Sequence, residues 1–150
     1  MAWRRPPRCS WRPDASVLAT PHADVTVVDA NPDGTVGDYV VGTVDVFCPG
    51  SQEKIGTAGF KSLEADRGFQ LLSAAVRLKR GDIFLDGLTS NTDGRVVFDA
   101  IVGGTRTFAG ARGEARERSL GEGDDTSEGS NLNRVTLKFR TENARTIKKQ

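Results

Sequence analysis

Histidine is almost missing from this 150-residue chain, with His22 the single one, and cysteine occurs only twice, at Cys9 and Cys48. A structural zinc site draws on about four Cys or His ligands, so none is expected, and no other metal site or cofactor is either. Two cysteines make no disulfide framework when one stands in a Pro/Arg-rich stretch and the other near a turn. A reducing compartment is therefore expected. No apolar run approaches the ~20 residues of a membrane span. The basic N-terminus is followed only by "SVLAT", too short for the core of a secretory signal. Neither sign of charge prevails: 21 Lys and Arg against 20 Asp and Glu leave a net +1. A nucleic-acid binder would show a strongly basic face, and this balance gives no such signal. What survives these exclusions is a soluble, cytoplasmic protein.

What is present is a β pattern. Hydrophobic residues make up 37% and charged residues 27%, enough for one packed core in one domain. Residues 1–21 hold most of the prolines and both tryptophans, Trp3 and Trp11. They read as an irregular tail, or as a lid, because tryptophan has little reason to stay in water. A β-domain over 22–142 and a basic C-terminal tail over 143–150 complete the division.

Within the domain, "ADVTVVD" runs into the turn "NPDG". "GDYVVGTVDVFC" alternates, with Val40, Gly42, Val44 and Val46 on one face and Tyr39, Val41, Thr43, Asp45 and Phe47 on the other. "EKIGTAGFKSL" is a strand whose two internal glycines mark bends or close backbone approach. "GFQLLSAAVRLK" suits a helix by composition and a strand by alternation, with Leu72, Ala74, Val76 and Leu78 sharing a face. "IFLDGL", "RVVFDAIV" and "LNRVTLKFRT" are further strands, and "GEGDDTSEGS" is an acidic hairpin loop without calcium-site spacing. "GEARERSL" is polar on both faces and is expected to be an exposed outer strand. The count is about eight hairpin-linked strands, hence an antiparallel sandwich or barrel. A barrel of that size either fills with side chains or holds one small ligand.

"IVGGTRTFAGARGEA" is rich in glycine, as dinucleotide-binding loops are. It comes after about six strands, opens no long helix and lacks a Walker lysine, so phosphate binding is not expected. It reads instead as a turn, or short helical turn, across one end of a barrel, with Phe108 plugging the core.

Four stretches in order resemble the allene oxide cyclase and dirigent protein superfamily: "VVDAN", "VGDYVVGTVDVF", "KIGTAG" and "IVGGTRTFAGARGEARERSL". The similarity runs from about Val25 to Thr141. It implies an all-β, calycin-like, eight-stranded antiparallel barrel, commonly trimeric, with an apolar cavity and no cofactor. It also implies a cyclase or isomerase that directs ring closure of a reactive hydrophobic intermediate, as expected in specialised metabolism. A dirigent-style or lipocalin-like binder without catalysis is the alternative. Expected partners are a small hydrophobic molecule and further copies of the chain, as trimer or dimer, with no nucleic acid and no membrane.

By that resemblance Asp29 stands where the cyclases carry a glutamate and Asn31 where they carry an asparagine. An acid at the mouth of an apolar barrel can stabilise developing positive charge, or donate a proton if burial keeps it neutral. The plain alternative is that both cap the "DANPDG" turn. Val44 and Lys61 replace an asparagine and a cysteine of the plant enzymes, which argues against their substrate. Tyr39, Val44, Phe47, Lys61 and Phe98 are candidate cavity-lining residues. Asp45, Asp86 and Asp99 are further strand carboxylates, expected to face outward as polar positions of an antiparallel sheet do.

Overall fold

The computed structural model describes residues 14–48, 53–66, 69–90, 96–122 and 131–142. Side chains are described for 26–48, 53–66, 69–88, 96–118 and 134–142. Eight strands follow one another: β1 (Asp14–Val28), β2 (Tyr39–Phe47), β3 (Lys54–Glu64), β4 (Phe69–Leu78), β5 (Gly81–Ser90), β6 (Val96–Gly104), β7 (Arg112–Glu122) and β8 (Asn131–Arg140). Each pairs antiparallel with the next, and β8 returns to β1 to close a barrel. The ambiguous "GFQLLSAAVRLK" is strand β4, because Ala74, Val76 and Leu78 turn to the core in alternation with exposed Ser73 and Arg77. Composition misplaced the start of the fold: β1 begins at Asp14, inside the stretch read as tail, and pairs there with Lys138 of β8.

The interior divides in two along its axis. At the end built by the β2–β3 and β4–β5 turns, the core is dry: Val46, Leu78, Ile83, Ile101, Leu137 and Phe139 are buried. A three-residue 3-10 turn, Arg106–Phe108, lies across this end. Thr105 N–H donates to the Asp82 carbonyl, and Thr107 N–H to that of Arg80. Phe108 is thereby driven into the core, 2% exposed, with its ring edge-to-face on Phe139 at 6.0 Å between centroids. Gly110 leaves the turn at φ 68°, a left-handed conformation that a side chain resists. The glycine stretch therefore shapes backbone, as its position in the chain indicates.

The expectation about cysteine is overturned at this end. Cys48, closing β2 and 5% exposed, is disulfide-bonded. The chain's other cysteine is Cys9, which lies outside the described residues. Counting cysteines misled because a single bridge needs no framework, and with it goes the basis for expecting a reducing compartment. Among the described residues no helix is long and apolar enough to cross a membrane.

Candidate functional site

Register fixes which side chains share the interior. Val40, Ser62, Leu72, Gly87, Asp99 and Ala115 are successive cross-strand partners around the barrel, and so lie on one face. Ala115 is fully buried, which makes that face the inner one. Towards the end formed by the 29–38 turn and the β3–β4 connection, inner-facing Val40, Val44, Phe60, Leu72, Ala74 and Val135 are only half-buried. Among the described residues this half is less filled than the other. Its small inner residues, Gly42, Ala74, Gly87 and Ala115, leave width that larger side chains fill below.

Two carboxyls stand in this open half. Asp99 of β6 is 4% exposed, and its Oδ1 has no hydrogen-bond partner. Its space comes from Gly87, its register partner on β5, where a Cβ would stand 1.7 Å from that same oxygen. Glu117 of β7 faces inward two residues beyond Ala115 and pairs with Val97 and Val135. Burial raises the Asp99 carboxyl above its ordinary value. Burial and, secondarily, the nearby Asp99 charge do the same to Glu117. At the rim, Ser62 Oγ donates to Gln70 Oε1 at 2.9 Å, and Gln70 Nε2 donates to Glu64 Oε2 at 2.9 Å. A buried acid without a cation is held towards its neutral form and can donate a proton.

The candidates named from sequence fall out differently. Val44 packs on the core and faces in. Tyr39, Phe47, Lys61 and Phe98 sit at the opposite parity and face out: Lys61 Nζ lies 4.5 Å over the Tyr39 ring, and Phe98 is 55% exposed. They do not line the interior, because each is one residue out of step with the buried set. Asn31 serves its turn: Nδ2 donates to the Val36 carbonyl and Oδ1 accepts from Asp33 N–H. Asp38 holds the same turn by accepting from Ala30 and Asn31 N–H. Asp29 is exposed at the open end.

Asp99 reverses the outward orientation expected of it, and Glu117 was hidden in a strand that looked polar on both faces. The available signal was Ala115: one small apolar residue among charges marks the inner parity, and Glu117 shares it. Asp45, ion-paired with Lys54 at 2.7 Å, and Asp86 do face out as expected.

No family model and no curated protein matches the sequence. Solved structures do. A pyocyanin demethylase superposes with TM-score 0.66 at 21% identity, over 85% of this chain and 99% of that one. The pterocarpan synthase dirigent protein GePTS1 superposes with TM-score 0.66 at 17% identity, over 82% of this chain and 80% of its own. A second such protein, PsPTS1, gives 0.65 at 16%, over 82% and 90%. The fold is that of the dirigent barrels. In this dirigent-type barrel the sequence similarity is low, so the likeness settles architecture and leaves the chemistry to the residues inside.

Proposed function

We propose that the chain is a cofactor-free cyclase or isomerase that takes a small, mostly apolar molecule into the open half of the barrel and directs its rearrangement. The observation that carries this is the buried Asp99, whose Oδ1 has no hydrogen-bond partner, near Glu117 and above a packed floor. Barrels of similar fold are named pyocyanin demethylase and pterocarpan synthase dirigent protein, which supports a small-molecule ligand. In this reading Val40, Val44, Phe60 and Leu72 confine one folded conformer. For a substrate with a reactive carbon–oxygen bond, a neutral carboxyl of the pair gives its proton to that oxygen as its bond to carbon breaks, leaving positive charge on the carbon. The carboxylate left behind stabilises the positive charge and recovers a proton as the ring closes. Asp29 is a rim group met on entry, and Asn31 shapes the turn beside it.

Native mass spectrometry of the protein from its own host identifies a retained ligand, and conversion of that ligand is then followed. Asp99→Asn should lower conversion at saturating ligand by about 10²-fold or more. Equal conversion by wild type and variant would make the barrel a carrier or guide instead.

We also propose that the barrels associate, as trimer or dimer, through the outer face of β2–β5. There Tyr39, Leu63, Leu71 and Leu88 form one cross-strand row, and Leu71 and Leu88 are exposed.

A further inference from the structure

The reading of the open half as a ligand site leaves the ligand's charge open, and the inner surface bears on it. Among the residues whose side chains are described, the inner face carries Glu64, Asp99 and Glu117, and no lysine or arginine. Every described cation on the strands is outside. Lys54 pairs with Asp45, Lys61 covers Tyr39, and Arg77 pairs with Asp82 at 3.3 Å. Arg116, Arg118, Arg134 and Lys138 are exposed on β7 and β8. The sorting is sharpest on β7, where Arg116 and Arg118 flank Glu117 and alternation sends both basic groups out and the acid in. Asp99, nine-tenths buried and more, keeps an oxygen with no partner in this surface. Phe60 adds an aromatic wall to the same inner face, which a cation also favours.

We infer that the molecule the open half selects is a small apolar ring compound carrying one positive charge. A carboxylate-bearing substrate, such as a fatty-acid derivative, would meet acids with no basic group to receive it. A neutral ring would leave a carboxylate of the pair, once ionised, without a counter-charge. A monocation supplies the missing counter-charge without adding a second one to desolvate.

The test compares three bicyclic probes of nearly equal size by calorimetry on the full chain at pH 7.5: N-methylquinolinium, quinoline and 2-naphthoate. The methylated nitrogen has neither an N–H nor a lone pair. Only quinoline can gain a hydrogen bond, from a protonated carboxyl, so any advantage of the cation is due to its charge. N-methylquinolinium is expected to bind at least tenfold tighter than quinoline, and 2-naphthoate weakest. In the Asp99→Asn, Glu117→Gln double variant the gap should shrink below threefold. Glu114→Gln, an acid on the outer face of the same strand, should keep it. Quinoline binding as tightly as its cation, or a gap that persists in the double variant, overturns the inference. Nile red, a neutral dye, separates the two levels. If Nile red enters and the cation has no advantage, only the charge assignment fails. If neither Nile red nor any probe binds, the open half is not a ligand site at all.

Discussion

The Asp99 carboxyl occupies the space that a side chain at Gly87, its register partner across the β5–β6 pair, would fill. A Cβ at Gly87 would stand 1.7 Å from Asp99 Oδ1 and 2.6 Å from its Cγ. Glycine here gives a buried acid room to lie flat against the wall, so the two residues form one unit. Gly87→Ala should push the carboxyl off the wall at a cost of about 1–3 kcal/mol. In an Asp99→Ala background the same change should cost much less, a coupling of about 0.5–3 kcal/mol in a urea-denaturation cycle. Additive costs would show that the two residues act separately.

The raised carboxyls set a pH dependence with a definite sign. Asp99 and Glu117 titrate above their ordinary values of 3.8 and 4.5. Between those values and the raised ones, the folded chain holds more protons than the unfolded chain. Stability from this pair is therefore full at acid pH, falls as pH climbs through the raised values, and stays lower above them. Asp99→Asn should gain on wild type across that window, by on the order of 1 kcal/mol at its upper end. The difference between variant and wild-type urea midpoints, followed from pH 4 to 9, isolates this pair from the other carboxylates. A difference that does not change with pH would mean Asp99 titrates normally.

The barrel was legible because most strands announce their parity: Val135, Leu137 and Phe139 alternate with Arg134, Lys138 and Arg140, and each outer charge confirms the inner residue beside it. Phe108 was legible for a similar reason, as a lone aromatic in a stretch of glycines. The site was not, since it lies where parity is broken. A buried Asp99 reads in sequence like any solvent-facing acid, and Glu117 is embedded among Glu114, Arg116 and Arg118. Aromatic residues misled in the opposite direction. Tyr39, Phe47 and Phe98 look like cavity walls, yet each stands one residue from the inner set. What placed Asp99 inside was its pairing with Gly87 and Ala115, a relation across strands that one strand's pattern does not contain.

Cys48 is disulfide-bonded, and the sequence holds one other cysteine, Cys9. A bridge between these two closes a loop of about 40 residues, which the chain-entropy account values at about 4 kcal/mol, with a broad range. The intact mass should lie about 2 Da below the all-thiol value, the mass of the two hydrogens lost. Reduction, or Cys48→Ala, should lower the urea midpoint by the equivalent of about 2–4 kcal/mol. An unreduced mass equal to the all-thiol value would show that the bridge does not form.

The exposed outer row on β4 and β5 gives the association proposal a direct check. Leu71 and Leu88 are register partners, 49% and 51% exposed, and Phe98 at 55% lies on the outer face of the next strand. Leu88→Arg places a charge in the middle of this surface without touching the inner face. Light-scattering mass should fall to that of one 16.1 kDa chain, with the urea midpoint shifted by less than about 0.5 kcal/mol if the barrel stands alone. A wild-type mass already equal to one chain would remove the proposal.

The floor of the barrel can be tested through Phe108. Its ring is anchored edge-to-face on Phe139, and the 3-10 turn that carries it is held to the β4–β5 hairpin by the Asp82 and Arg80 carbonyls. Phe108→Ala deletes the whole ring from a dry region bounded by Ile83 and Phe139, where backbone pinning limits collapse. The cost should lie in the range of about 3–5 kcal/mol, above what a freely collapsing site would show. Phe108→Leu should lose much less, because it refills most of the volume and gives up the ring–ring contact alone. The open half adds a second readout. If Phe108 is the floor and not a wall of the site, Nile red uptake per folded chain should be unchanged in Phe108→Leu. In Phe108→Ala the added depth should admit the dye at least as well. Loss of uptake in the leucine variant, with the fold intact by circular dichroism, would place Phe108 in the ligand site itself.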